Sequence, residues 1–260
     1  MLGLLDRPRG RPAVAAAVVA LAALLVVAPQ LAAQTPPAAD VSITAGLKLW
    51  YASWKSDTGV ATMSSDSQIL WGQTASLRVG RFTFGANLFD STGDFSARTT
   101  HEASGEALTW IGDRTDLDLY VSYSVAPYFR PVIGYKSVSS NMSFAVPSGF
   151  STSGAVRLSG PSVGAALAIP LGSRPMLVSG SLTYSRLKAH LRGSAGFVEN
   201  AEAADTENAY AAEVGFAYSL RPALIVAGYR YQHFKAEGSD SEGDRFAGAT
   251  LTLVYTLGPP

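Results

Sequence analysis

From Val41 onward the chain alternates apolar and small polar residues with a period of two. Ile43, Ala45, Leu47, Leu49 and Tyr51 share one face, and Thr44, Gly46, Lys48 and Trp50 share the other. Such a period means a strand with one apolar face. The pattern recurs nine times. Strand two sets Ile69, Trp71, Ala75, Leu77 and Val79 against Gly72, Thr74, Ser76 and Arg78, and strand three sets Phe82, Phe84, Ala86 and Leu88 against Thr83, Gly85 and Asn87. Strand four alternates Leu117, Leu119, Val121, Tyr123 and Val125 with Asp116, Asp118, Tyr120, Ser122 and Ser124. Strand five carries Phe129, Ile133 and Tyr135 against Arg130, Gly134 and Lys136, with Pro131 removing a ladder donor. Five more follow, around Val163–Ile169, Met176–Tyr184, Tyr210–Tyr218, Ile225–Tyr231 and Ala249–Leu257.

The connections alternate in length. Long ones cover residues 55–67, 90–113, 139–157, 189–208 and 236–244, and short ones 80–81, 126–127, 170–175 and 221–222. Membrane barrels segregate short periplasmic turns from longer outer loops, and they turn apolar residues to lipid and small polar ones to the lumen. A soluble sandwich has no reason to sort its loops this way. The fold class expected is all-β, a closed antiparallel up-and-down transmembrane β-barrel of about 10 strands. A hairpin hidden in the second long loop, or the loss of strand five, would make it 8 or 12. Aromatic residues belong at the two headgroup levels. Trp50, Tyr51, Trp54, Trp71, Tyr184, Tyr229 and Tyr231 lie toward the long loops, and Phe82, Tyr123, Tyr128, Phe129, Tyr218 and Tyr255 toward the short turns.

The N-terminus supports export. Arg7, Arg9 and Arg11 precede an apolar run from residue 13 to 28, and small residues stand at Ala32 and Ala33 before a Pro-rich stretch. That order is a secretory signal peptide, so residues 1–33 are expected to be cleaved, 34–40 to form a short periplasmic segment, and 41–260 to form the barrel. The run is shorter than the ~20 apolar residues of a spanning helix. Zero net charge excludes the basic excess of a nucleic-acid binder, and the absence of cysteine excludes disulfide and thiolate chemistry.

The stretch Gly228-Tyr229-Arg230-Tyr231-Gln232, an acidic loop, and then Phe246 to Tyr255 in strict alternation resemble the closing hairpin of small bacterial outer-membrane proteins of the OmpA/OmpX-like and Opa-like barrel families. The resemblance implies the bacterial outer membrane as location, reached through the Sec pathway. It also implies assembly by the barrel assembly machinery, which reads an aromatic C-terminal signal. Leu251, Leu253, Tyr255 and Leu257 keep the outline of that signal, and the tail Gly258-Pro259-Pro260 departs from it.

A ten-stranded barrel is narrow, since ~8 strands are filled by side chains and aqueous channels open at ~16–18. Parity turns Lys48, Arg78, Arg130, Lys136 and Arg230 inward with Asp116, Asp118 and Glu213. Charges in so narrow a lumen call for a paired network, because unpaired ones are too costly. A selectivity lining for a small anionic solute is the alternative. Catalytic motifs fail residue by residue. Asp116 and Asp118 mimic the aspartate pair of ten-stranded outer-membrane proteases, but none of His101, His190 and His233 has an aspartate two residues before it. His233 also lacks the serine two residues on that a lipid A deacylase places beside its histidine. His101, Glu102 and Glu106 are the one group that could hold a metal, and a lone histidine with carboxylates in a polar loop is ordinarily solvated. No catalytic residue, cofactor or metal is therefore expected.

The function expected is that of a non-enzymatic, monomeric barrel with a structural or surface-interaction role through its long loops. The alternatives are a narrow solute channel and a lipid- or peptide-directed hydrolase. Expected partners are outer-membrane lipid and lipopolysaccharide, and an extracellular partner at acidic loops bearing Glu199, Glu202, Asp205, Glu207, Glu237, Asp240, Glu242 and Asp244.

Overall fold

The computed structural model describes residues 41–57, 62–100, 107–145, 151–195, 198–220, 222–239 and 243–258. The signal-peptide reading, the segment 34–40 and the His101, Glu102 and Glu106 group lie outside them, as do Asp240 and Glu242. Ten strands make the barrel wall: β1 (Val41–Asp57), β3 (Gln68–Val79), β4 (Phe82–Ser91), β7 (Thr115–Tyr123), β8 (Phe129–Ala145), β9 (Ser151–Pro170), β10 (Met176–Ala195), β11 (Val198–Leu220), β12 (Ala223–Ala236) and β13 (Gly243–Leu257). Each pairs antiparallel with the next, and β13 returns to β1 with Leu49 opposite Leu251, so the ring is closed. Closure removes the unpaired edges that an open sheet would present. These are the ten segments that the alternation predicts.

Three shorter strands lie off the ring. They are β2 (Thr62–Ser64), β5 (Phe95–Thr100) and β6 (Ala107–Gly112). The second long loop does hide a hairpin, β5–β6, but it adds no stave. Instead β6 pairs with Met142–Ala145 of β8, above the level where β7 has ended. Asp113 bridges the break, its carboxylate accepting from the Asn141 backbone N–H at 3.0 Å.

Two expected loops, 139–157 and 189–208, are largely strand. β9, β10 and β11 run for 20, 20 and 23 residues, about twice what crosses a bilayer (~9–11 residues). The phase of the pattern explains the difference. Within the apolar belt the outward residues are greasy, as at Leu182 and Tyr184 on β10. Beyond it Arg186, Lys188 and His190 face out, and Leu187 and Ala189 are fully buried inside. On β1 the switch comes at Tyr51: Ser53 and Lys55 continue the outward face, and Trp50, Ala52 and Trp54 face in. Trp50 and Trp54 therefore belong to the interior, not to the aromatic girdle where position along the strand had put them. Tyr51, Trp71, Tyr184 and Tyr229 are exposed at the long-loop end, and Phe82, Tyr128, Phe129, Tyr218 and Tyr255 at the other.

Leu47, Ile133, Leu182 and Phe216 are each more than half exposed on the outer wall. An apolar band this continuous is unstable against water and stable against lipid. No helix among the described residues is long and apolar enough to cross a membrane, and the crossing is made by strands. The two-residue turn between β3 and β4 holds Gly80 at φ 58°, a left-handed conformation that costs a residue with a Cβ about 1 kcal/mol. Pro131 lies one residue past the last β7–β8 pair, where its missing donor interrupts little. Pro161 breaks more: the β9–β10 ladder skips from Ser162↔Ser185 to Ser159↔Lys188.

Candidate functional site

The interior is built in tiers. In the lowest, near the short turns, Arg78 donates to the Gly80 carbonyl at 3.0 Å, and the partly buried Arg130 lies within reach of its repulsion. These two expected lumen cations do not join the rest.

The other six do meet. Lys48 Nζ stands 2.6 Å from Glu213 Oε2, and Arg230 Nη1 reaches the same oxygen at 3.4 Å. Arg230 Nη2 lies 3.1 Å from Asp118 Oδ2, whose other oxygen is 2.8 Å from Lys136 Nζ. Lys136 is also 3.8 Å from Asp116. In the order of the wall β7 and β12 are five places apart among ten. The Arg230–Asp118 pair thus spans the full width of the barrel. Strand alternation makes this arrangement, since Asp116 and Asp118 are two apart on β7, as Arg230 and Gln232 are on β12, and such neighbours share a face.

One member was missed by parity. Arg114, which is 4% exposed, donates to Asp116 from Nε at 2.7 Å and from Nη2 at 3.1 Å, and to Gln232 Oε1 at 2.8 Å, a second tie across the lumen. It sits one residue before β7, and carrying the inward parity of Asp116 and Asp118 back by one step would have found it. The network holds the cations Lys48, Arg114, Lys136 and Arg230 against Asp116, Asp118 and Glu213. Three buried donors, Trp50 Nε1, Arg230 Nε and Gln232 Nε2, find no protein acceptor among the described residues.

An aromatic layer lies on the network. Trp50 meets Phe89 edge-on at 6.0 Å, and Phe246 is ringed by Trp54, Phe95 and Phe234 at 5.8–6.4 Å between centroids. The cations below are shared with it. The Arg114 guanidinium stacks 3.7 Å from the Phe246 ring centre, and that of Arg230 lies 5.0 Å from Phe89. Such contacts favour a desolvated cation.

Above this layer, at the long-loop end, a cavity of about 240 Å³ opens between the tall strands and the β5–β6 hairpin. Phe95, Trp110, Phe234 and Phe246 line its apolar side, and Asp113, Arg114, Glu207 and Asp244 its polar side. Glu207 stands three residues beyond the girdle residue Tyr210. Burial, then the like charges of Asp244 and Asp205, push its carboxyl up to about 7 against the pull of Arg114. Among the described residues no cluster of three metal-ligating side chains occurs. His190 is exposed on the outer face of β10, and His233 lies opposite Tyr210 and Arg245 on β12.

No family model and no curated protein matches the chain. Among solved structures it is similar to the outer membrane protease OmpT from Escherichia coli, at 12% identity and a TM-score of 0.58, over 86% of this chain and 99% of that one. It also aligns with the translocator domain of the autotransporter NalP from Neisseria meningitidis, at 11% identity and 0.49, over 94% and 97%. A third is neisserial surface protein A, at 12% and 0.38, over 83% and 96%. At such identities the likeness is one of fold. The fold is that of the outer-membrane β-barrels.

Proposed function

We propose that this chain is a bacterial outer-membrane barrel, exported through the Sec pathway, that passes no solute and acts without catalysis through its long-loop end, which faces away from the cell. Its role on this reading is structural or one of surface interaction. The observation that carries the reading is the tie from Arg230 on β12 to Asp118 on β7. It joins opposite walls, and the aromatic layer rests on it. A solute crossing the lumen would have to part pairs sheltered from water, and breaking one by loss of a partner costs ~3–5 kcal/mol. The tall strands β8–β11 then supply the outer surface, with outer-membrane lipid and lipopolysaccharide around the belt and any macromolecular partner at the acidic rim. A monomer that the barrel assembly machinery inserts by its last strand belongs to the same proposal.

The engagement of Asp116 and Asp118 with Arg114, Lys136 and Arg230 speaks against catalysis. Carboxylates held by three cations are poorly placed to activate water. Labelled lipid A, phospholipid and peptides should survive incubation with the folded protein. Turnover that disappears in His233→Ala would overturn this part of the reading.

One observation favours a narrow channel instead. Gly164, Ala166 and Ala168 on β9 face Thr183, Ser181 and Ser179 on β10, and Ser181 is exposed on the inner side. The wall there is thin in side chains. Planar-bilayer recording separates the two readings. A closed lumen gives no discrete steps, and steps that shift in Arg230→Gln would establish conduction.

A further inference from the structure

The cavity at the long-loop end lies above the ion pairs that close the lumen, and its chemistry is lopsided. Three carboxylates and one cation face it. Arg114 is committed below, to Asp116, to Gln232 and to the Phe246 face. Asp113 accepts from the backbone and side chain of Asn141 at 3.0 Å each, and Asp244 accepts from Trp54 Nε1 at 3.2 Å. The Glu207 carboxylate accepts no hydrogen bond from a described residue, and its charged neighbours other than Arg114 are the anions Asp205 and Asp244. A half-enclosed carboxylate with unfavourable neighbours stands at the mouth of an aromatic-walled space.

We propose that this cavity binds a small organic monocation, an aromatic or aliphatic body carrying one ammonium group. The body lies among Phe95, Trp110, Phe234 and Phe246, and the ammonium meets Glu207 and Asp244. Three arguments select this class. A cation relieves the repulsion between the two carboxylates, where an anion would add to it. A neutral apolar guest would desolvate Glu207 further without pairing it. Aromatic faces themselves attract ammonium groups. A cavity of about 240 Å³ has room for a compound of one ring and a short chain, set against the ~30 Å³ that one water takes in the liquid.

The inference rests on the long-loop end being the working end and is independent of lumen closure, which conductance reads separately. The test is calorimetric titration of the full-length folded protein in phosphatidylcholine nanodiscs, with empty discs subtracted. Phenethylammonium chloride should bind one to one and at least about tenfold more tightly than neutral 2-phenylethanol, with 3-phenylpropionate not binding. Glu207→Gln, its fold verified by the gel shift of the unheated barrel, should erase most of that preference. Equal binding of the alcohol, no binding of the ammonium compound, tighter binding of calcium ion alone, or an unchanged Glu207→Gln would each overturn the proposal. A silent bilayer recording together with any of these leaves the closed lumen standing and removes only the cavity's role.

Discussion

Asp118 is where the account is most exposed at the scale of a residue. It is held by Lys136 and Arg230 together, so Asp118→Asn takes the nearer anion from each, leaving them only Asp116 and Glu213, and adds to the excess of cations in a confined interior. The expected loss is ~3 kcal/mol of stability, read as a lower temperature at which the folded band converts on a gel. Pairing it with Arg230→Met should restore part of the loss, because the excess cation goes with it. If the single variant melts like the wild type, the cross-lumen tie contributes nothing. Glu207 makes a second claim, with a definite sign. Its folded pKa of about 7 exceeds the ordinary 4.5, so the folded state holds the proton more tightly. The stability so gained is complete below the ordinary value and is lost as pH rises through about 7. Wild type should therefore weaken between those limits relative to Glu207→Gln, and parallel pH profiles would contradict the assignment. Parity alone made Lys48, Lys136, Arg230, Asp116, Asp118 and Glu213 legible in the sequence, because a strand that lines a narrow barrel has only two directions for a side chain. Arg114 and Phe89 escaped because each lies just outside the segment where the alternation is obvious. Glu207 and Asp244 were visible only as loop acidity, since their meeting depends on the registers across β11, β12 and β13.

At the scale of the element, the strands were legible only as far as the bilayer reaches. Lipid rewards apolar residues outside, and water beyond it rewards them inside. The pattern therefore slips phase at the headgroup level, and Leu187 and Ala189 read as noise after Leu182 and Tyr184. The same inversion marks the membrane boundary on β1 at Tyr51. It predicts slow amide hydrogen exchange in Val156–Ser159 and Lys188–His190, comparable with the belt, because both stretches are ladder-bonded strand. Exchange at the rate of an open loop would contradict the extension of β9 and β10. The β5–β6 hairpin was hinted at by the length of its loop, but nothing in its composition said that β6 would continue the wall above β7.

The whole molecule is a ring whose two halves are tied through its middle, and every statement about lumen, rim or cavity presupposes that the ring closes. The alternation supplied the strand count, and the even number together with the segregated loop lengths supplied the topology. Lumen filling depended on cross-lumen contacts that no local pattern contains. Closure is directly measurable because the chain has no cysteine of its own. Leu49 and Leu251 are direct partners on the first and last strands, at a separation typical of antiparallel pairs (~4.5–5.5 Å between Cα atoms), within the range that a disulfide bridges. The variant carrying Leu49→Cys and Leu251→Cys, refolded and oxidised, should form an intramolecular bridge in nearly every molecule, seen as a band whose mobility after boiling depends on reductant. Absence of that bridge in protein that still shows the folded band would mean that the first and last strands do not meet, and the closed barrel would fall.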